Sequence, residues 1–112
     1  MVRPSAFAIR GTCDAGRGTI ALSGELDIAT RPQLEDEVRA ILRKGVRELL
    51  IDLRGLTFID SSGLGLLVVL NEQAAADNWT LHLTRPTGQV LSVVKLTGAD
   101  EHLPFEVETE PA

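Results

Sequence analysis

The chain is poor in the residues that most often carry chemistry. It has one cysteine, two histidines and no tyrosine. A lone Cys13 excludes an internal disulfide and any cysteine-based metal cluster. Neither His82 nor His102 has a cysteine or a second histidine at ligand spacing. Basic residues are outnumbered, 11 Lys and Arg against 16 Asp and Glu, for a net charge of −5. That balance argues against a general nucleic-acid binder, which needs a basic face to neutralise phosphates, and is compatible with a basic protein partner. No apolar stretch approaches the ~18–20 residues of a membrane span. Arg3, Pro4 and Arg10 interrupt the N-terminus where a signal peptide would need an apolar core. A cytoplasmic protein without membrane insertion is therefore expected. Gly63-Leu64-Gly65 is too short and too apolar to cradle a nucleotide by itself. Ser61 lacks the Gly-x-Ser-x-Gly elbow of hydrolases. The chain is not expected to be an enzyme.

At 112 residues the sequence fits one domain with a core that needs no covalent staples. We expect that domain to span 1–112, with its core at about 6–107 and a polar tail at 108–112. Residues 6–10 and 19–23 read as strands around a turn-rich loop built on Gly11, Asp14, Gly16 and Gly18, which places Cys13 in the loop. Gly24 to Ala29 reads as a connection. Thr30 and Gln33 form a capping-box pattern, and Pro32 falls in the first turn of the helix they open. Leu34, Val38, Ile41 and Leu42 give that helix one apolar stripe, and Gly45 stops it. Leu49-Leu50-Ile51-Asp52-Leu53 looks like a central strand covered on both faces. Residues 81–83 suggest another strand, with Trp79 packing just before it. Thr87-Gly88-Gln89 opens a helix carrying Val90, Leu91 and Val94 and closed by Gly98, and Phe105 with Val107 suggests a short edge strand. Strands alternating with helices point to an α/β domain.

The most informative segment is Phe58-Ile59-Asp60-Ser61-Ser62-Gly63-Leu64-Gly65-Leu66. An apolar run ends in an acid, two hydroxyls and a glycine, and a second apolar run begins at once. That pattern hands a buried strand over to a helix. It leaves serines at a helix N-terminus, where free amides and the helix dipole favour negative charge. Capping alone would explain such residues; a phosphorylation switch is the sharper alternative. In the helix that follows, Leu64, Leu67, Val68, Leu70 and Ala74 can form a buried stripe. Ser62, Gly65, Leu66, Val69 and Gln73 fall on a different face. That second strip is either covered by other elements or is a docking face beside the serines.

Asp60-Ser61-Ser62-Gly63-Leu64-Gly65 closely resembles the signature of the anti-sigma factor antagonist family, built on the STAS domain. Gly24-Glu25-Leu26-Asp27, followed by Thr30 and Leu34, matches that family's upstream motif. The resemblance covers about Thr19 to Leu96. It implies a single STAS-type α/β domain, with a mixed four- to five-stranded sheet and helices packed against it. It also implies that the unphosphorylated protein binds an anti-sigma factor that is a serine kinase of GHKL type, and so releases a sigma factor. The phosphoacceptor carries over to Ser61. Asp27, Asp60, Ser62 and Gly63 carry over to its surroundings, where Asp60 reads equally as a helix-start cap and Asp27 as a turn-stabilising carboxylate. A serine phosphatase would reset the switch. The chain itself would hold no cofactor, since ATP and Mg²⁺ would belong to the partner kinase. The alternative within the family is a STAS scaffold of stressosome type, or an accessory subunit of a membrane-transport system. Leu66-Leu67-Val68-Val69-Leu70-Asn71-Glu72 is more apolar and less basic than in well-known family members, which leaves room for a different partner choice.

Overall fold

A computed structural model describes residues 7–106. In chain order it contains β1 (Ala8–Asp14), β2 (Arg17–Leu26), α1 (Arg31–Leu42), β3 (Glu48–Ile59), α2 (Ser61–Asp77), β4 (Thr80–Leu83) and α3 (Gly88–Leu96), with a 3-10 turn at Ala99–Glu101. The strands form one sheet in the order β1-β2-β3-β4. β1 pairs antiparallel with β2, whereas β2–β3 and β3–β4 are parallel. Four strands lie within the expected range. Phe105 adds only an isolated parallel bridge to Leu83. Val107 and the tail lie outside the described residues.

The sheet has two unlike faces. Gly18, Ile20 and Leu22 align with Leu49, Ile51 and Leu53, and with Leu81 and Leu83, to make a buried face. α1 packs over β1 and β2, and α2 over β3 and β4. Thr19, Ala21, Leu50, Asp52 and His82 point the other way and are only half-buried. This corrects the reading of β3 as covered on both faces, since its side chains alternate as in a one-sided sheet. Leu50 broke the visible alternation and made the run look continuous.

Three further local expectations give way to chain geometry. The β1–β2 loop is only the pair Ala15-Gly16, both at positive φ (52° and 79°), which is the two-residue turn that matches strand twist. Gly11, Cys13, Asp14 and Gly18 therefore belong to strands. β2 continues to Leu26 rather than ending before Gly24. β3 continues to Ile59 through two bulges rather than turning at Arg54-Gly55. Leu53 and Arg54 together oppose Leu22, between the pairs Ala21↔Asp52 and Ser23↔Gly55, and Thr57 is a second extra residue between Gly24↔Leu56 and Glu25↔Phe58. Thr30 opens α1 without capping it by its side chain. Its buried hydroxyl instead donates to the Glu25 carbonyl (2.8 Å) and accepts from the Asp27 amide (2.9 Å). Pro32, the stripe of Leu34, Val38 and Ile41, and the positive-φ Gly45 and Gly98 stand where expected. Trp79 is buried ahead of β4.

Candidate functional site

The neighbouring parallel strands β2 and β3 end side by side, with Leu26 opposite Ile59. The turn after β2 and the start of α2 therefore lie next to each other. Asp27 holds the first with its carboxylate, which accepts from the amides of Ala29 and Thr30 (both 3.0 Å). Asp60 starts the second. Its backbone is extended, its amide donates to the Leu26 carbonyl (3.3 Å), and its carboxylate accepts from the Gly63 amide (2.8 Å). Both acids thus make the structural bonds that an Asp in a turn or at an N-cap makes.

Ser61 is the first residue of α2 and is exposed; Ser62 is half-buried. Asp60 takes the third amide of the helix, leaving those of Ser61 and Ser62 without a partner among the described residues. Two free N–H groups at the positive end of a 17-residue helix favour an anion. The start of α2 can come this close to β2 only because residue 63 has no side chain. A Cβ there would lie 2.5 Å from the Leu26 carbonyl oxygen and 2.9 Å from side-chain carbons of Leu26 and Ile59.

Two groups that hold this junction were not singled out from sequence. Arg31, at the start of α1, donates to the Ser62 carbonyl (3.3 Å) while pairing with Glu35 (3.5 Å). Gln89 of α3 accepts from the Ile59 amide (3.1 Å) and donates to the Ile59 carbonyl (3.2 Å). β4 ends level with Ile51, so the amide side chain of Gln89 occupies part of the β3 edge that no strand reaches among the described residues. Neither contact leaves a local signal, because both join residues about thirty apart in sequence. Ile28, 75% exposed in the turn after β2, adds an apolar side chain next to Asp27.

Along α2 the two expected stripes are shifted by part of a turn. Leu64, Leu67, Leu70 and Ala74 are buried, but Val68, expected among them, is 38% exposed. Leu66, placed on the second strip, is 1% exposed and cannot present itself to a partner. It turns toward α1 and becomes part of the floor of a groove of about 250 Å³ between the helices, with Val38, Leu42 and Leu70. Val69 and Gln73 remain at the groove's open side and, with half-buried Gly65 and Ser62, make a continuous accessible face that runs back toward Ser61. Among the described residues no group of three or more His, Cys, Asp or Glu could hold a metal, and no helix is long and apolar enough to cross a membrane.

A four-stranded mixed sheet with helices packed on it, and a serine presented at the start of the second helix, places the molecule among the α/β folds of the SpoIIAA type. The phosphorylated form of SpoIIAA, the Bacillus cell fate determinant, is 25% identical and superposes with a TM-score of 0.67 over 94% of this chain and 93% of that one. An anti-sigma factor antagonist from Mycobacterium paratuberculosis, also 25% identical, gives 0.79 over 96% and 92%. The family profile described as Mlab, STAS domain matches residues 12–106, and the chain belongs to this STAS-domain family. Among curated relatives, the anti-sigma-B factor antagonist of Staphylococcus aureus is 25% identical over 91 residues, covering 81% of this chain and 84% of that protein.

Proposed function

We propose that this chain is an anti-sigma factor antagonist switched by phosphorylation of Ser61, and that it works by docking rather than by catalysis. The carrying observation is the placement of Ser61. It is exposed at the first position of α2, where two amides have no partner among the described residues, and at the head of the face made by Ser62, Gly65, Val69 and Gln73. Relatives named for this role, one of them described in a phosphorylated form, support the reading. The unphosphorylated face would bind an anti-sigma factor that is itself a GHKL-type serine kinase, freeing a sigma factor. The kinase would bring ATP and Mg²⁺, and a serine phosphatase would restore the unphosphorylated form. Asp27 and Gly63 would serve by holding the two neighbouring turns together. Asp60 would cap α2 and add a negative charge next to the phosphate.

Pull-down from the native host with wild type, Ser61→Ala and Ser61→Asp, read by mass spectrometry, tests this. Retention of a GHKL-type kinase by wild type and Ser61→Ala, with loss by Ser61→Asp, is the expected outcome. Equal partners for all three would reduce Ser61 to the start of a helix and leave a STAS scaffold controlled elsewhere.

A further inference from the structure

The outer edge of β1 carries an unused recognition surface. It is seven residues long, Ala8–Asp14, and mostly exposed. Among the described residues no strand pairs with its outer side. Sheet edges are usually blunted by lysine, proline, a bulge or an inward charge. β1 contains no lysine or proline, and its register with β2 runs unbroken from Ala8↔Ser23 to Asp14↔Arg17. Arg10 and Asp14 point to the same, open face of the sheet and make no ion pair among the described residues.

We propose that β1 pairs antiparallel with β1 of a second copy, centred on Thr12, joining two four-stranded sheets into one of eight strands. The occupant is chosen by charge complementarity. A two-fold axis normal to the sheet keeps like faces together, so each residue must meet one of its own parity. With Thr12 opposite Thr12, Arg10 of each copy meets Asp14 of the other, and Gly11 meets Cys13. Centring on Arg10 or Asp14 would oppose like charges, which destabilises a cross-strand pair. Centring on Gly11 or Cys13 leaves Arg10 without a directly opposed acid. Because α1 covers β1 and β2 whereas α2 covers β3 and β4, the paired edge lies away from Ser61. The inference is thus independent of the phosphorylation switch.

The contact is short, and weak association is expected, so mass should be followed by light scattering from about 1 µM to about 500 µM. The expected result is a concentration-dependent shift from monomer toward dimer. Arg10→Asp should weaken association by about tenfold, and the exchange Arg10→Asp with Asp14→Arg should restore it to within about threefold. Under oxidation, Thr12→Cys in a Cys13→Ser background should give a covalent dimer, because directly opposed Cβ atoms lie about 4.5–5.5 Å apart. Native Cys13, offset by two residues from its copy, should not. A monomer at every concentration overturns the proposal, as does a dimer indifferent to Arg10→Asp. A Cys13 crosslink in place of the Thr12→Cys one overturns the register. Thermal melting of each variant identifies any that has merely failed to fold.

Discussion

Gly63 and Gly65 lie two residues apart in the same helix, and replacing each by alanine should have opposite effects. Neither has positive φ, so backbone conformation does not separate them. A Cβ at residue 65 meets nothing within 4 Å, whereas one at residue 63 falls 2.5 Å from a backbone carbonyl oxygen that cannot swing aside. Overpacking a tight site costs about 1–3 kcal/mol, and a backbone obstacle favours the upper end. Alanine returns at most about 1 kcal/mol of helix propensity, leaving Gly63→Ala destabilised by about 2 kcal/mol. Gly65→Ala keeps the propensity gain alone, about 0.5–1 kcal/mol of added stability. For 112 residues an unfolding entropy of about 0.24 kcal/mol/K converts 1 kcal/mol into roughly 4 °C. Thermal melts followed by circular dichroism should then show Gly63→Ala about 8 °C below wild type and Gly65→Ala about 2–4 °C above it. Gly63→Ala melting at or above wild type would refute the claim that α2 starts in steric contact with β2. The clash has a local consequence too, because the Leu26 carbonyl it strikes also accepts from the Asp60 amide.

Other perturbations report on the supports around the site. Thr30→Val strands the Asp27 amide and removes a donor from the Glu25 carbonyl in a residue only 4% exposed, and should cost about 1–3 kcal/mol in urea unfolding, while Thr30→Ser recovers most of it. Ala15→Asn should raise the melting temperature by about 2–4 °C, since asparagine tolerates the left-handed conformation that alanine adopts at φ 52°. The Asp52 carboxyl is lowered from 3.8 to about 2, chiefly by the Arg54 side chain and also by the Arg54 amide and the Thr84 hydroxyl. A depressed carboxylate stabilises the fold above its unfolded pKa and loses that contribution as pH falls through the folded one. The melting-temperature advantage of wild type over Asp52→Asn should therefore be full above about pH 4 and shrink toward pH 2. An advantage that stays constant over that range would exclude the ionised pair as its source.

Much of the architecture is legible in local pattern, and the failures share a cause. α1 and α3 are visible because their stripes, stop glycines and first-turn proline or glycine are properties of consecutive residues. The end of β3 is not, because Arg54-Gly55 reads as a turn until β2 is placed beside it. There Gly55 is needed because a Cβ would meet the Leu22 carbonyl oxygen at 2.6 Å. Leu66 was misplaced for a similar reason. Its helical angle puts it on the border of two faces, and only the position of α1 decides that it is covered. The motif at residues 60–65 was readable as a strand-to-helix handover, with Asp60 as its cap. The Arg31 and Gln89 contacts that brace it depend on elements brought in from about thirty residues away.

The proposed switch also has to satisfy an energetic asymmetry: a phosphate on Ser61 must leave the fold intact yet prevent docking. Phosphorylation adds about −1.5 to −2 charges and three acceptor oxygens. Within the domain, the helix terminus would favour a charge there by about 0.3–1 kcal/mol, and the free amides of Ser61 and Ser62 are available to it. The Asp60 carboxylate opposes this, but between a partly exposed carboxylate and a group of about −1.5 to −2 charges a few ångströms apart in water the repulsion is only about 1.5–2 kcal/mol, and salt screens it. The helix terminus offsets part of that repulsion, so the phosphorylated domain should lose no more than about 2 kcal/mol of stability relative to the unmodified one. A partner seated on Ser62, Gly65 and Val69 would instead have to strip water from a doubly charged group at the edge of its contact. That desolvation costs several kcal/mol unless the partner supplies a cation, enough to weaken binding by more than a hundredfold. Suppressor mutations should therefore arise where that desolvation can be offset. They belong on the partner, as an added arginine facing Ser61, and not in the helix that carries the serine.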